Sequence, residues 1–287
     1  MPLDAAVDME STESPLDSLA ERIAEDIRED RLELPGFPEA VLRVQRTMQS
    51  PDASAEDVVK VLSSEPTLAA RALQIANSVQ FRRGGPEVTE LRTAVSRLGF
   101  NLVRSIAVAY AIHQLRLRET YSASARAQIE AIWRCSLKVA SASYVLARYG
   151  RAGVNPDQAL LAGLLHVIGR LYIVMRAEGI GGAPDVELAR AARAYQGEIA
   201  RMLLASWGLP ETLQHAVEHQ DDLDYESDGV TITDVLIAAK YLTDENGHED
   251  VMCPVLDKLA MVADKHPSEV LEEHAVELRA LTSSLTE

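Results

Sequence analysis

A stretch of twelve residues beginning at Leu160 constrains the fold of this chain more than any other. It reads LLAGLLHVIGRL. Leucine and isoleucine recur in it at helical spacing, and most other positions carry small residues, so the pattern predicts one helix that is apolar nearly all round. A helix of this kind is buried, and the single imidazole at its centre, His166, must be buried with it.

A buried imidazole needs a hydrogen-bond partner or a metal ion, because leaving it unsatisfied costs about 1–3 kcal/mol. A core histidine that bonds to a backbone carbonyl is the more frequent arrangement. A histidine that binds a ligand is the alternative, and the residues around His166 must decide between the two.

The composition predicts an all-α protein of the cytoplasm. The 287 residues are 47% hydrophobic but only 5% aromatic, and no run of alternating strand residues stands out. Two cysteines without C-x-x-C spacing indicate a reducing compartment. No uncharged apolar run reaches the roughly 18 residues that a membrane span needs, and the acidic N-terminus is unlike a signal peptide. We therefore expect no membrane partner.

The net charge of −16 is unevenly distributed, with two acidic ends and a mildly basic middle. A chain of this overall charge is repelled by DNA at long range. The arginines of the middle, among them Arg82, Arg83 and Arg97, are more typical of a solvated surface than of a nucleic-acid site, although an acidic partner or the protein's own termini could meet them. We expect no nucleic-acid partner.

The N-terminus divides into a tail and an amphipathic helix. Residues 1–14 are rich in acidic and small residues and predict a disordered acidic tail. Ser14 then caps a helix with Pro15 at its first position and an apolar stripe of Leu16, Leu19, Ile23 and Ile27. We expect this helix to dock on the body of the protein more readily than on a partner.

Capping residues predict several further helices. Ser54 and Asp57 have the spacing of a capping box, and Ser64 is predicted to cap the next helix. Thr89 is predicted to open a helix that Gly99 ends, before a second, long helix follows.

Five short motifs occur in order along this part of the chain: LPGFP at 34–38, SPDAS at 50–54, SSEPTL at 63–68, ANS at 76–78 and RLG at 97–99. Together they resemble the HDOD family over roughly residues 30 to 225, and several ordered matches are more specific than any single motif. The resemblance implies an all-α, two-lobed helical HDOD fold. Its N-terminal lobe would span 15–120, and an HD-like lobe ending in acidic helices would span 121–287.

The opening stretch also resembles the LLHDIGKL signature of the HD superfamily, whose His-Asp pair binds divalent metal for phosphoester hydrolysis. Val167 stands here in place of the aspartate, and valine cannot coordinate a cation. The other ligand positions that the resemblance implies read Cys135, Gln196, Gln220 and Lys240, which leaves only His166 and His219. Because a hydrolytic metal centre usually needs three protein ligands and an open site, we expect no metal, no cofactor and no enzymatic activity.

Three residues of the HD-like lobe, His166, His219 and Lys240, are ligand or partner candidates, and we expect them near a cleft between the two lobes. His219 lies four residues after His215, which is metal-ligand spacing, but we assign the pair no carboxylate partner. If Lys240 is buried, its ammonium needs a partner and could replace the charge of the lost metal; a surface lysine is the equal alternative. Cys135, without a nearby second ligand, is predicted to be a small buried hydrophobe.

The N-terminal lobe contributes four more candidates, Asn77, Ser78, Arg82 and Arg83. Asn77 and Ser78 end a helix, where such side chains satisfy backbone carbonyls more often than they contact a ligand. The sequence is compatible with both interpretations.

The family occurs in bacterial signalling and regulatory proteins, so we expect a non-catalytic bacterial signal-transduction module that binds a protein partner. A receptor for a small anionic ligand, such as a nucleotide or a cyclic dinucleotide, is the first alternative. An HD-type metal phosphohydrolase is the second, and the lost ligands count against it. A homo-oligomer is compatible with the sequence.

Overall fold

The computed structural model describes residues 15–34, 38–50, 52–82, 85–118, 120–244 and 252–286, and every regular element in these ranges is an α-helix. This confirms the all-α prediction. The predicted tail at 1–14, including Ser14, lies outside the described residues, as does Arg83.

The chain is built from short and long helices in succession. The first six are α1 (Pro15–Arg28), α2 (Glu39–Gln49), α3 (Ala55–Ser63), α4 (Pro66–Asn77), α5 (Val79–Arg82) and α6 (Leu91–Arg116). The next six are α7 (Ala123–Tyr149), α8 (Pro156–Leu165), α9 (Ile168–Glu178), α10 (Asp185–Ser206), α11 (Glu211–Glu218) and α12 (Ile232–Thr243). The last three are α13 (Pro254–Ala263), α14 (Pro267–Glu273) and α15 (Ala275–Thr286).

Local sequence signals explain several helix ends. The backbone N–H of Asp57 donates to the hydroxyl of Ser54, and the carboxylate of Asp57 accepts from the Ser54 N–H, so the predicted capping box is confirmed. The prediction for Ser64 is wrong, because this residue ends α3 and its hydroxyl donates to the carbonyl of Val61. Helix α4 begins instead at Pro66, whose ring fits the first helical turn without needing a backbone donor.

Helix α6 bends at Gly99, where the predicted stop is found as a kink. Gly99 has φ 75° and ψ 164°, a backbone conformation open essentially to glycine alone. The helix begins at Leu91 with Glu90 at its N-cap, two residues after the predicted start at Thr89. It contacts α2, α3 and α4 as well as α7 and α8, so its two segments join the N-terminal helices to the HD-like lobe.

The prediction of one continuous helix over 160–171 is wrong. The structure divides this stretch into α8 and α9 at His166 and Val167. In a continuous helix the N–H of Val167 would donate to the carbonyl of Gly163. Instead, Nδ1 of the His166 imidazole lies 2.6 Å from the carbonyl oxygen of Gly163 and hydrogen-bonds to it. The predicted burial is confirmed, since nearly every residue of the stretch is buried.

Two glycines of this stretch allow close helix packing. A Cβ at Gly163 would overlap the backbone of Ala140 in α7, and one at Gly169 would overlap the backbone of Gln196 in α10. The chain at the α8–α9 junction therefore lies directly on the two helices that supply much of the site described below.

Helix α1 docks on the body of the protein, as predicted. Leu19 and Ile23 are buried, and Asp26, which is 6% exposed, accepts from Nε of Arg176 at 2.6 Å and from the hydroxyl of Tyr172 at 2.7 Å. Both partners belong to α9, so α1 packs on the HD-like lobe although it precedes the helices of the other lobe in sequence.

The C-terminal helices pack on α7. Helices α14 and α15 are separated by a break in the chain at His274. The break places the His274 ring on the ring of Tyr149, with centroids 3.6 Å apart. The Tyr149 hydroxyl also donates to Glu277 at 2.5 Å, which fixes the start of α15.

Two stretches, Leu91–Arg116 and Pro156–Glu178, are long and apolar enough to cross a membrane. Within the fold, 67% and 89% of their apolar windows are buried. Burial on this scale is what core helices show, so the two stretches are weak evidence for a membrane protein.

Candidate functional site

A cavity of about 550 Å³ opens in the HD-like lobe. Its walls come from α7, the α8–α9 junction, α10, the turn after α11, and α12 with the residue that follows it. Every lining residue lies between 131 and 244, so the prediction of a cleft between the two lobes is wrong. The reason is that the imidazole of His166 faces Cys135 on α7, within the same lobe.

His166 lines this cavity and is 3% exposed. Because a carbonyl can only accept, the contact of Nδ1 with Gly163 O places the ring proton on Nδ1. Nε2 then carries a lone pair and faces Sγ of Cys135 at 3.8 Å. Burial, aided by the charge of Lys240, lowers the pKa of His166 to about 3, so the ring is neutral at physiological pH. The expected bond to a carbonyl is confirmed, and one ring nitrogen still faces the cavity.

Cys135 lines the cavity beside His166, and the prediction of a buried cysteine is wrong because the cavity opens at this point of α7. The surrounding helices nevertheless desolvate its sulfur, which raises the pKa of the thiol. The group is therefore a neutral thiol near pH 7 that donates weakly to His166, and its chemistry is not that of an activated nucleophile.

Lys240 extends from α12 into the cavity, and its side chain is 21% exposed. Its Nζ donates to Oε1 of Gln220 at 2.8 Å and to Oδ1 of Asp221 at 2.5 Å. Of the two arrangements that the sequence allowed for this lysine, the structure has the partly buried, paired one.

The two glutamines at family ligand positions are held by internal hydrogen bonds. Gln220 is 2% exposed and donates to the carbonyls of His166 at 2.9 Å and Val217 at 2.7 Å. Gln196 donates to Oδ2 of Asp221 at 2.5 Å. Both amides therefore brace the cavity wall around Lys240 and Asp221.

His219 does not line the cavity, so its predicted position beside His166 is wrong. His219 lies at the C-terminal end of α11. The next residue, Gln220, is buried and faces the cavity, so the ring of His219 points away from it. Its ring lies 4.3 Å from that of His215 and 6.2 Å from that of Tyr225. Glu218 stands beside the two histidines and is the carboxylate partner that the sequence reasoning missed, although its place three residues after His215 was visible.

The candidates of the N-terminal lobe lie away from the cavity and serve local structure. The side chain of Asn77 makes two hydrogen bonds of 2.7 Å to the backbone of Val88. Ser78 donates to the carbonyl of Ile75 at 2.8 Å, and Nε of Arg82 donates to Gly85 O at 2.8 Å. The capping interpretation therefore fits Ser78, whereas Asn77 ties the end of α4 to the backbone of Val88. Arg83 lies outside the described residues.

The cavity is rich in positive charge. Four basic residues line it, against two acidic ones: Arg134, Lys138, Arg170 and Lys240, against Asp221 and Asp244. Sequence reasoning found only Lys240. The spacing of Arg134 and Lys138 around Cys135 on one helix face, and the place of Arg170 at the lysine of the HD signature, are signals that could have found the others.

The donor groups of the cavity do not fit the metal centre that the HD signature implies. Its described residues with metal-ligand atoms are Cys135, His166, Asp221 and Asp244, and no three of them bring such atoms within 4.8 Å of one another. Hard cations take several oxygen ligands, and here the ammonium of Lys240 already contacts Asp221.

The all-helical fold and the cavity beside His166 at the α8–α9 junction agree with the HD-related class that the resemblance implied. The sequence profile of the HDOD domain matches residues 34–223, and the chain belongs to the HDOD family. This match confirms the resemblance inferred from the ordered motifs.

Two solved structures share the fold. A candidate metal-dependent phosphohydrolase from Shewanella amazonensis SB2B is 27% identical, with a TM-score of 0.75, over 94% of this chain and 99% of that one. A candidate signal transduction protein from Marinobacter aquaeolei VT8 is 22% identical, with a TM-score of 0.61, over 98% of this chain and 68% of that one.

A curated relative is longer than this chain. It is an uncharacterized protein of Treponema pallidum (strain Nichols), 21% identical over an alignment of 244 residues that covers 77% of this chain. The matched part is 45% of that relative, so the chain spans less than half of its length.

Proposed function

We propose that this chain is a non-catalytic signalling module that acts by binding a partner protein. The observation that carries the proposal is the place of Lys240. Its ammonium stands where HD enzymes have an aspartate ligand, and it is held there by Asp221 and Gln220. A fixed ammonium at this point repels a divalent cation and supplies a positive charge of its own.

The other residues of the cavity support the same function. Val167 and Gln220 stand at two further family ligand positions, and neither offers a metal the carboxylate or imidazole of the family pattern. The HDOD match and the named role of the Marinobacter aquaeolei relative support signalling as the context. A protein that keeps the helical fold of a hydrolase but lacks its metal-binding residues can still bind a partner, and we assign this chain that function.

The test is a hydrolysis assay with a generic phosphodiester and added Mn²⁺, run on the wild type and on His166→Ala after both are shown to be folded by circular dichroism. We expect no release of phosphate or nucleoside monophosphate from either. Turnover by the wild type that disappears in the variant overturns the proposal. The partner-binding part is tested by native capture from an extract of the source organism, with a partner that co-purifies at fixed stoichiometry as the expected result.

A receptor for a small anionic ligand is the second candidate, and the four basic residues of the cavity favour it. A site with this surplus of positive charge, in a chain whose net charge is −16, attracts anions locally. A thermal-shift screen with nucleotides and cyclic dinucleotides distinguishes this candidate, because a ligand that binds only the folded state raises Tm. We expect a shift that Arg170→Met reduces if this candidate holds. No shift at millimolar ligand counts against it.

A further inference from the structure

His215, Glu218 and His219 form a cluster of ligand-type side chains outside the cavity, which we call the α11 cluster. The potential ligand atoms of the three residues all lie within 4.8 Å of one another. Among the residues that the structure describes, this is the one group of three histidine, cysteine or acidic side chains that meets this distance. We propose that the α11 cluster binds a single Zn²⁺ ion.

The spacing of the three residues suits this ion. His215 and His219 have the i, i+4 spacing at which two imidazoles on one helix face bind zinc, and Glu218 has a carboxylate oxygen within 4.8 Å of the ligand atoms of both histidines. Two imidazoles and one carboxylate form a common zinc donor set that leaves a fourth position open. Tetrahedral bonds of about 2.0–2.1 Å place ligand atoms about 3.4 Å apart, so small side-chain rotations close the cluster around the ion.

The neighbours of the cluster orient one ligand. The hydroxyl of Tyr225 lies 3.2 Å from Nε2 of His215, which leaves the other nitrogen of that ring for the metal. Histidine ligands of metals nearly always bond through their second nitrogen to such an outer partner. The segment that follows the cluster is strongly acidic, with Asp221, Asp222, Asp224, Glu226 and Asp228 close in sequence, and this charge favours a cation.

Arg201 is the competitor for this site. Its Nε donates to Oε1 of Glu218 at 2.9 Å, so the guanidinium and the zinc ion would share one carboxylate. The ion pair therefore predicts that Arg201 weakens zinc binding, and that removing its charge strengthens it. If the two histidines captured zinc without Glu218, removing the charge of Arg201 would change zinc binding little.

The α11 cluster is separate from the cavity of the HD-like lobe. None of its three residues lines that cavity, and none of the cavity's residues belongs to the cluster. The inference therefore stands independently of the proposed function, and each can fail while the other holds.

The test is a titration of the full chain with Zn²⁺ against a chromophoric chelator, with elemental analysis after gel filtration. We expect one zinc ion per chain. Even outer-shell partners of metal ligands change affinity by about 10–100-fold, so we expect His215→Ala and His219→Ala each to weaken binding by at least about tenfold. Glu218→Gln should also weaken it, and Arg201→Met should strengthen it.

Two variants serve as controls. His274→Ala removes one imidazole elsewhere, and Cys135→Ser removes the thiol of the cavity; both should bind zinc as the wild type does. Circular dichroism confirms folding of every variant, and the exposed His215 makes its substitution a mild one. Zinc binding that survives the double variant His215→Ala/His219→Ala, that is lost in Cys135→Ser, or that is absent from the folded wild type overturns the inference.

Discussion

Lys240 holds the carboxyl group of Asp221 in its ionised form. Burial alone would raise the pKa of Asp221, but the charge and hydrogen bond of Lys240, together with the amide of Gln196, hold it below the ordinary value of 3.8. The folded state therefore binds this proton less tightly than the unfolded state. The pair stabilises the fold above pH 3.8, and that contribution is lost as the pH falls through the folded-state pKa.

Replacing Lys240 with Met should lower the free energy of unfolding at pH 7 by about 1 kcal/mol, because solvent screens a pair whose carboxylate is more than half exposed. The difference from wild type should vanish in strong acid, where Asp221 is protonated in both. Thermal unfolding at pH 7 and at about pH 2, below the ordinary carboxyl pKa, measures this difference. Lys60→Met, which removes an exposed lysine from a looser pair with Asp57, is the matched control. Equal Tm values for wild type and Lys240→Met at pH 7 contradict the prediction.

His166 should make the protein sensitive to acid. Its folded-state pKa of about 3 lies below the unfolded-state value of 6.5, so the unfolded chain takes up the proton first as the pH falls. This histidine thus leaves stability unaffected above about pH 6.5 and reduces it progressively from there towards pH 3. Urea unfolding between pH 8 and pH 4 measures the loss, which His166→Gln should lack.

The same histidine can be followed directly by NMR. Its imidazole should show no titration between pH 8 and pH 5 in the wild type. In Lys240→Met its pKa should rise, because the lysine charge is the second cause of the depression after burial. A wild-type midpoint near 6.5 is incompatible with the buried, neutral ring.

Gly169→Ala should destabilise the protein by about 2–3 kcal/mol, the upper part of the usual range for overpacking a core. The added Cβ meets the backbone carbonyl of Gln196, and a backbone cannot rotate away as a side chain can. Gly229→Ala is the control, since nothing lies within 4 Å of the Cβ there. Chemical denaturation of both variants gives the comparison, and equal midpoints would contradict the close contact of Gly169 with the backbone of Gln196.

Asp26→Ala should lower the free energy of unfolding by about 2 kcal/mol, less than the 3–5 kcal/mol of a fully buried pair because the Arg176 side chain is 31% exposed. The variant also loses the acceptor of the Tyr172 hydroxyl, which weakens the docking of α1. Limited proteolysis should then cut the connection between α1 and α2 faster than in wild type. Glu25→Ala changes an exposed carboxylate of the same helix and should leave the cleavage rate unchanged.

The sequence predicts those features of the fold that depend on local chemistry. Ser54 and Asp57 define a helix start by themselves, and Gly99 interrupts a helix because of its own backbone freedom. The break at His166 was not predictable in this way, since it follows from the rotamer that brings the imidazole onto the Gly163 carbonyl. A pattern of apolar residues contains no information about that contact.

The site was predicted in part for a similar reason. His166 and Lys240 could be found because the family pattern marks their positions, and both line the cavity. His219 and Gln220 are neighbours in sequence but face different sides of the chain, and only the three-dimensional turn after α11 decides which one faces inwards. The basic residues Arg134 and Lys138 needed the same knowledge of which face of α7 meets the cavity.

The relative placement of the N-terminal helices and the HD-like lobe depends on Gly99 in the middle of α6, because glycine has no side chain to oppose the bend there. A residue with a side chain is strained at the φ of 75° that Gly99 adopts, whereas a straight helix over the same 26 residues would be about 39 Å long at 1.5 Å per residue. A rod cannot follow the surface of α2, α3 and α4 and then turn to meet α7 and α8. Gly99 therefore sets the angle between the two segments of α6. A larger residue there would shift the N-terminal helices relative to α7 and α8, while the helices within each half would still form.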